Sequence, residues 1–259
     1  MVNYLAELFR LQGKVAALTG GGGYLVGEMV AAFARVGVKV ALMDIDLESA
    51  EKVAEKINAD GGEAVALRVD VTQKSELEVA LVEIMKRYRS ADILVNGAGM
   101  NAPTSFLEIT LEEWYRILDV QLTGTMLACQ VFGAHMVKQG KGSIVNISSA
   151  SASPPLSKAF AYSVAKAGVK NLTQNLAREW AMSGVRVNAL RPGFFPTDWS
   201  KKNFLTPDRV QAILNHTPMG RFGDPRELVG AVLWLCSDAA SFVTGAEIAV
   251  DGGFSGMTI

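Results

Sequence analysis

Short apolar runs alternate with longer amphipathic stretches between residues 15 and 250. Runs rich in β-branched residues predict buried strands, and apolar residues at helical spacing predict the helices between them. The predicted strands cover residues 15–19, 38–44, 64–69, 93–96, 143–148, 185–190 and 247–250. The predicted helices cover residues 26–36, 47–58, 74–88, 111–138, 159–182 and 226–237. Because continuously apolar strands separated by helices indicate a parallel sheet covered on both faces, we predict one doubly wound α/β domain over residues 1–259.

Composition and charge narrow the class of protein without identifying it. Hydrophobic residues make up 49% of the chain and charged residues 20%, as in a compact globular protein. The net charge of −1 gives no electrostatic reason to expect nucleic acid or an anionic membrane surface as a partner. No apolar run approaches the roughly 20 residues that span a bilayer, and the N-terminus lacks the pattern of a signal peptide. We therefore expect a cytoplasmic protein.

The two cysteines do not indicate a metal site. Cys129 and Cys236 lie within apolar helical patterns and lack the spacing of metal ligands. This pattern favours buried thiols in a reducing compartment, and we predict no bound metal.

A glycine-rich turn joins the first predicted strand to the first predicted helix, where residues 19–27 read TGGGGYLVG. Glycines there let the backbone approach a pyrophosphate, and the start of the helix offers amide donors and a favourable dipole. A glycine run by itself is also typical of a flexible turn. Its place between a first strand and a first helix favours dinucleotide binding.

Acidic and small residues end the next three strands. Asp44 ends the second strand, where a carboxylate binds the adenosine ribose hydroxyls and repels a 2′-phosphate. Neither Arg nor Lys follows it directly, so NAD is favoured over NADP. Asp70 and Val71 end the third strand, and residues 96–99 (NGAG) end the fourth. All of these lie at carboxyl ends of strands, where open α/β sheets bind ligands.

Residues 146–166 combine two hydroxyls and an amine, those of Ser149, Tyr162 and Lys166. Tyr162 and Lys166 are four apart, so a helix places them on one face. A nearby ammonium favours the phenolate and brings tyrosine, with an ordinary pKa of about 10, towards the operating pH of a proton-transfer catalyst. Ser149 follows an apolar strand that would deliver its hydroxyl to a cleft. These groups suit proton transfer at a carbonyl or alcohol oxygen, although a Tyr–Lys pair also occurs by chance in many helices.

Together these motifs resemble the short-chain dehydrogenase/reductase family over essentially the whole chain. The resemblance is carried by the TGGGGYLVG turn, Asp70, the NGAG stretch, Ser149, YSVAK at 162–166, VRVNALRPGFFPT at 185–197 and VDGG at 250–253. It implies a Rossmann-like fold. It also implies reversible hydride transfer between a nicotinamide and a carbonyl or alcohol carbon.

The resemblance further implies roles for individual residues. Tyr162 would be the general acid/base, Ser149 would orient and polarise the substrate oxygen, and Lys166 would lower the tyrosine pKa and bind the nicotinamide ribose. The turn at Pro192 and Gly193 would hold the nicotinamide end together with Thr197, which would lie near the carboxamide. The full set expected to bind NAD is Gly20, Gly22, Gly23, Tyr24, Leu25, Asp44, Asp70, Val71, Asn96, Gly97, Ala98, Tyr162, Lys166, Pro192, Gly193, Phe195 and Thr197.

The chain departs from the family pattern in two places. The glycine turn is one residue longer than the common form, with Tyr24 and Val26 where shorter forms have glycine. Gln121 stands where the family usually has an asparagine that supports a water-mediated proton relay to the lysine. We expect Gln121 to be catalytic, with a relay that is re-routed or weakened by the longer side chain.

The expected substrate is polyhydroxylated. The long glycine turn, the NGAG stretch and the C-terminal third look similar to the sugar-acid branch of the family, with its fructuronate (mannonate) oxidoreductases and gluconate 5-dehydrogenases. This favours a sugar, sugar acid or polyol, with a lid over residues 194–224. The residues expected to contact substrate are Asn101, Ser151, Phe194 and Trp199.

Two other functions remain open at this stage. A 3-oxoacyl thioester reductase has the same fold, but such enzymes usually take NADPH, which Asp44 disfavours. A catalytically weak, NAD-binding regulatory or scaffold protein is supported by Gln121 alone. The apolar surfaces of the helices at 111–138 and 159–182, with the family resemblance, predict a homotetramer.

Overall fold

A computed structural model describes residues 4–153 and 156–257 of the chain. The ends of the expected domain, at 1–3 and 258–259, lie outside the described residues. So do Pro154 and Pro155, which belong to the 146–166 stretch.

Within these described residues, seven strands form one parallel sheet. The strands are β1 (Val15–Thr19), β2 (Lys39–Asp44), β3 (Ala64–Arg68), β4 (Ile93–Asn96), β5 (Gly142–Ile147), β6 (Val185–Pro192) and β7 (Glu247–Val250). The helices are α1 (Tyr4–Phe9), α2 (Tyr24–Arg35), α3 (Leu47–Ala59), α4 (Lys74–Tyr88), α5 (Leu111–Leu118), α6 (Gly124–Gln139), α7 (Phe160–Trp180), α8 (Asp198–Asn203), α9 (Pro207–Asn215) and α10 (Val229–Cys236). The predicted doubly wound α/β fold is confirmed.

The sheet is buried on both faces because successive residues of each strand enter opposite cores. Leu18 of β1 packs in the core formed with α2, α3 and α10. Its neighbour Ala17 packs in the second core, formed with α4, α6 and the end of α7. β1 is buried at every position. This two-sided burial explains why the central strands are continuously apolar instead of alternating.

The strand order β3-β2-β1-β4-β5-β6-β7 creates the crevice that a ligand needs. The chain runs outward from β1 to β3 and then returns to β4 on the other side of β1. Connections after β1 and β4 therefore leave in opposite directions, which opens a crevice at the carboxyl ends of these two strands.

The helix predicted over 111–138 is interrupted. A π-helical turn at Asp119–Thr123 separates α5 from α6. Apolar periodicity indicates that a segment is helical, but it does not reveal a turn that contains one extra residue. The interruption was therefore not predicted. Such turns are frequent at functional sites.

Two short helices form within the segment predicted to be a lid. α8 and α9 begin at the hydroxyl caps Thr197 and Thr206, and Pro207 occupies the first turn of α9. These are readable start signals for helices.

The stretch Leu111–Gln139 has a mean hydropathy of 1.2 in its most apolar window. By length and composition it qualifies as a membrane span, although half of that window is buried inside the protein. Core helices pass the same test, so the stretch is weak support for a membrane segment.

Candidate active site

A large cleft opens at the carboxyl ends of β1 and β4. Its volume is about 1040 Å³, at the upper end of the range for small-molecule and cofactor sites. The predicted cofactor residues that line it are Gly20, Gly23, Tyr24, Leu25, Asp44, Asp70, Val71, Gly97, Ala98 and Thr197.

The glycine turn keeps side chains away from the floor of this cleft. Gly20 has a φ of +72°, and a Cβ there would lie 2.9 Å from Cα of Ala98. Gly23 is the N-cap residue of α2, and no described side chain caps this helix with a hydrogen bond. The first backbone N–H groups of α2 are therefore available to other partners. Free amides and a positive helix end at a glycine turn fit the pyrophosphate of a dinucleotide.

Asp44 presents a carboxylate at the rim of the cleft. Its Oδ2 accepts a 3.0 Å hydrogen bond from the amide of Gly22, and its Oδ1 accepts one from the amide of Asp46. The residue that follows, Ile45, is exposed and uncharged. The arrangement fits ribose hydroxyls and disfavours a phosphate at the same place.

Gly22 and Asn96 were predicted to bind the cofactor, but they do not line the cleft. A Cβ at Gly22 would meet Ser49 and Ala50 of α3, so this glycine permits packing between the turn and the helix. Asn96 is 3% exposed, because its amide donates to Oδ1 of Asn146 at 2.8 Å inside the sheet. The side chain of Asn96 therefore links β4 to β5.

Ser149, Tyr162 and Lys166 come together beside the cleft. They line an adjoining pocket of about 350 Å³ that shares Gly97, Met100 and Thr197 with it. Ser149 follows β5, and the other two lie one turn apart on α7. Tyr162 is hydrogen-bonded to Ser149, and Nζ of Lys166 lies 5.6 Å from the centre of the Tyr162 ring. A hydroxyl, a phenol and an amine thus share one pocket.

Burial shifts the pKa of both titratable groups. Lys166 is 4% exposed, and burial lowers the pKa of its amine to about 7. Burial raises the pKa of Tyr162, and the hydrogen bond with Ser149 offsets only part of that rise. The sequence predicted a tyrosine pKa lowered by Lys166; the net shift is upward because the site penalises the phenolate more strongly than its partners favour it.

Gln121 lies on the π-helical turn and lines the same pocket. Its Nε2 donates to the carbonyl of Met100 at 2.6 Å, while its buried Oε1 has no partner among residues 4–153 and 156–257. A Cβ at position 99 would lie 2.8 Å from Nε2 of Gln121, so Gly99 makes room for the longer amide. An unpaired buried acceptor in a pocket is costly unless a water or ligand satisfies it.

The outer wall of the pocket is mostly apolar. Three of the four predicted substrate residues line it, namely Asn101, Phe194 and Trp199. The residues predicted to hold the nicotinamide end line it as well, namely Pro192, Gly193 and Thr197, and so does Phe195 from the predicted cofactor set.

Ser151, the fourth predicted substrate residue, is placed differently. It is 3% exposed and lies behind Ser149, to whose Oγ its own hydroxyl and amide donate at 3.1 and 3.2 Å. Its position two residues after Ser149 placed it near the site, but the short 3₁₀ turn at Ala150–Ala152 directs it to Ser149.

The segment predicted to be a lid is tied to the loop before α7. The guanidinium of Arg209 on α9 donates to the hydroxyl and the carbonyl of Ser157, and it stacks 3.8 Å from the centre of the Phe204 ring. Arg209 does not line the pocket, whereas Phe204 does. This cation therefore supports the wall from behind.

Some lining residues had no signal in the sequence. Tyr115 and Arg116 of α5 line the cleft, and Leu156 and Leu205 line the pocket. Periodicity indicated a helix at α5, but which of its faces meets the cleft depends on the packing of the π-helical turn.

Known proteins are similar to this chain over nearly its whole length. Residues 26–255 match a protein-family model described as enoyl-(acyl carrier protein) reductase. A galactitol 2-dehydrogenase (L-tagatose-forming) from Cereibacter sphaeroides is 39% identical, with 96% of this chain and 97% of that protein aligned. An NAD-dependent glycerol dehydrogenase from Listeria innocua is 36% identical over 95% of this chain and 96% of that protein.

A solved structure shows the same architecture. The gluconate 5-dehydrogenase from Burkholderia cenocepacia, in complex with NADP and tartrate, superposes with a TM-score of 0.92 at 29% identity. The alignment covers 97% of this chain and 100% of that one.

Proposed function

Because the chain belongs to the short-chain dehydrogenase/reductase family and is an oxidoreductase acting on CH–OH groups, we propose that it oxidises a polyol or sugar at a secondary alcohol carbon with NAD. The observation that carries the proposal is the convergence of Ser149, Tyr162 and Lys166 where the dinucleotide cleft joins the smaller pocket. A bound nicotinamide would accept the hydride, and the side chains manage the proton.

Each catalytic side chain has a defined role in this proposal. Tyr162 removes the proton of the substrate hydroxyl during oxidation and returns it during reduction. Ser149 holds the substrate oxygen and, through its hydrogen bond, favours the phenolate of Tyr162. Lys166 places a titratable amine beside the tyrosine ring and binds the nicotinamide ribose. Gln121 holds a relay water or a substrate hydroxyl on its free Oε1.

The charges around the cleft favour NAD over NADP. Its described lining carries the carboxylates of Asp44, Asp70, Glu112 and Asp119, against the single cation of Arg116. A 2′-phosphate beside Asp44 would meet a like charge in a partly desolvated place. The NAD-dependent glycerol dehydrogenase agrees with this choice, whereas the gluconate 5-dehydrogenase structure holds NADP.

The pocket favours an uncharged substrate. Lys166 is the only charged side chain among its described lining residues, and its amine already donates to the carbonyl of Ile147 at 2.7 Å. A substrate carboxylate would therefore be desolvated against Phe194, Trp199 and Leu205 without a dedicated cation. A sugar acid is the second candidate, since the superposed structure is named a gluconate 5-dehydrogenase.

An exposed apolar surface supports the proposal of a homotetramer. Phe106, Leu107 and Leu111 are 61%, 96% and 71% exposed, and Tyr115 on α5 and Val164 on α7 are exposed as well. Exposed apolar surface on neighbouring elements favours an interaction surface. Pairing α5 and α7 across subunits would cover them, in an assembly we place in the cytoplasm.

The test is a panel assayed with NAD and with NADP. The alcohols are galactitol, threitol and glycerol, the acids are gluconate and mannonate, and a 3-hydroxyacyl thioester represents the rival class. We expect NAD reduction with at least one uncharged polyol and slower turnover of the acids. Activity confined to the thioester would refute the polyol proposal, and nucleotide binding without any turnover would favour a regulatory protein.

A further inference from the structure

Glu247 carries a largely shielded carboxylate on the edge strand of the sheet. Its side chain is 9% exposed, although β7 has a single strand neighbour and is otherwise partly open to solvent. Carboxylates are rarely buried unless they are paired, because desolvation penalises the charged form. The groups that pair with Glu247 therefore indicate its role.

Three side chains from three other elements converge on this carboxylate. The hydroxyl of Ser148 donates to Oε1 at 2.7 Å. Nζ of Lys170 lies 3.3 Å from Oε2, and Nη1 of Arg191 lies 3.4 Å from the same oxygen. Hydrogen bonds and ion pairs that meet at one carboxylate depend on geometry, so they restrict how these segments can shift.

Each partner adjoins a part of the proposed active site. Ser148 directly follows β5 and directly precedes Ser149. Lys170 lies one helical turn after Lys166 on α7. Arg191 directly precedes the turn that would hold the nicotinamide end. The segments that carry the hydroxyl, the amine and the nicotinamide turn therefore meet at one carboxylate.

We propose that Glu247 is a positioning residue for hydride transfer. It fixes β5, α7 and β6 relative to one another and so sets the distances among catalytic groups without touching substrate; the role rests on the proposed function above. A misplacement of about 1 Å can lower a rate by about 10²-fold, so a remote anchor of this kind has kinetic consequences.

The competing explanation is a salt bridge that serves stability alone. That role would lower the temperature of unfolding and leave kcat per folded molecule unchanged. Positioning lowers kcat far more than it weakens NAD binding, because the cleft for the adenosine half is formed by other strands.

The experiment compares variants that differ in how much of the cluster they remove. Glu247→Gln keeps the shape and an acceptor for Ser148 but removes the charge. Ser148→Ala and Lys170→Met each remove one partner, and Lys170 is already 35% exposed. Glu63→Gln is the matched control. Glu63 pairs with Lys39 at 3.2 Å, near the edge of the sheet opposite β7.

We expect kcat for the best polyol to fall about tenfold or more in Glu247→Gln and about threefold in the partner variants, with the Kd for NAD within about twofold. Glu63→Gln should match the wild type, and Glu247→Asp, which restores the charge, should recover part of the lost kcat. Wild-type kcat in all three cluster variants would overturn the proposal. If Glu247→Gln does not fold, Lys170→Met decides it, because Lys170 does not line the pocket whereas Ser148 does. A wild type that oxidises none of the panel alcohols overturns the proposed function, and this role with it.

Discussion

Lys166 and Ile147 are joined by a 2.7 Å hydrogen bond from the amine to a carbonyl oxygen two residues before Ser149. The bond fastens α7 to the end of β5 and so holds the amine close to the segment that carries the serine hydroxyl. It pairs the buried amine with a neutral oxygen instead of a carboxylate, and burial accordingly lowers the amine's pKa to about 7.

The buried amine should make stability depend on pH. The unfolded chain has the ordinary lysine pKa of 10.5, so between pH 7 and 10 it binds more protons than the folded state, and stability rises with pH in that window. Lys166→Met removes this dependence. We expect the free energy of unfolding of the wild type, relative to the variant, to increase by about 2 kcal/mol between pH 7 and 9.

Urea unfolding at fixed ionic strength measures this difference. Subtracting the variant removes the opposite contributions of Cys129 and Cys236, whose pKa values burial raises to about 12. A difference that stays flat over pH 7 to 9 would mean that the amine keeps its ordinary pKa.

Removing the phenolic hydroxyl should abolish turnover without preventing NAD binding in the cleft. Tyr162→Phe keeps the ring beside Lys166 but leaves no group to exchange the substrate proton, so kcat should fall by about 10²–10⁴-fold. NAD titration should give a Kd close to that of the wild type. Retention of more than a tenth of the wild-type kcat would remove Tyr162 from the mechanism.

The raised pKa of Tyr162 should appear in the pH profile of alcohol oxidation. Oxidation needs the phenolate, so kcat/KM should climb about tenfold per pH unit through the neutral range towards the tyrosine pKa. Ser149→Ala removes the hydrogen bond that favours the phenolate and should move this limb to higher pH. A limb that stays in place, with only the plateau lowered, would assign Ser149 to substrate orientation alone.

Asp44 should set the choice of cofactor. Asp44→Asn keeps an acceptor for the amide of Gly22 and removes the charge that repels a 2′-phosphate. The ratio of kcat/KM for NADP to that for NAD should rise by about 10- to 100-fold, since like-charge contacts cost several kcal/mol. The exposed Asp60→Asn serves as the control and should leave the ratio unchanged. An unchanged ratio in Asp44→Asn would place cofactor choice elsewhere.

The fold was largely predictable because each strand carries its own signal. β1, α4, β4 and β7 begin and end at the residues that periodicity predicted. A buried strand is a local run of β-branched residues, and a parallel sheet follows from the alternation of such runs with helices. The helices α8 and α9, within the predicted lid, were missed because they are short, even though Thr197 and Thr206 are recognisable caps.

The sequence predicted a residue's place in the site only where that residue stands at the carboxyl end of a strand. Being at the end of a strand placed Asp44 and Ser149 beside the clefts, but the same rule also selected Asn96, whose side chain turns into the sheet towards Asn146. The pKa of Tyr162 was expected to fall because a neighbouring cation is visible in the sequence. The burial that raises it instead depends on packing between distant segments.

Gln121 offers the sharpest test of how this chain departs from its family. Gln121→Leu preserves volume in the space that Gly99 leaves open, but it removes both the donor to Met100 and the free Oε1. If Oε1 holds a relay water, kcat should fall about tenfold and its solvent isotope effect should change, while KM and the Kd for NAD stay within about twofold. Gln139→Leu is the matched control, because Gln139 makes the same kind of bond to the carbonyl of Lys141 at an exposed helix end. Gln121→Asn shortens the side chain, and its kcat should lie between those of the wild type and Gln121→Leu if the length of the side chain matters. Wild-type kcat and isotope effect in Gln121→Leu would show that proton transfer bypasses this residue, leaving Gln121 the structural task of closing the π-helical turn against Met100.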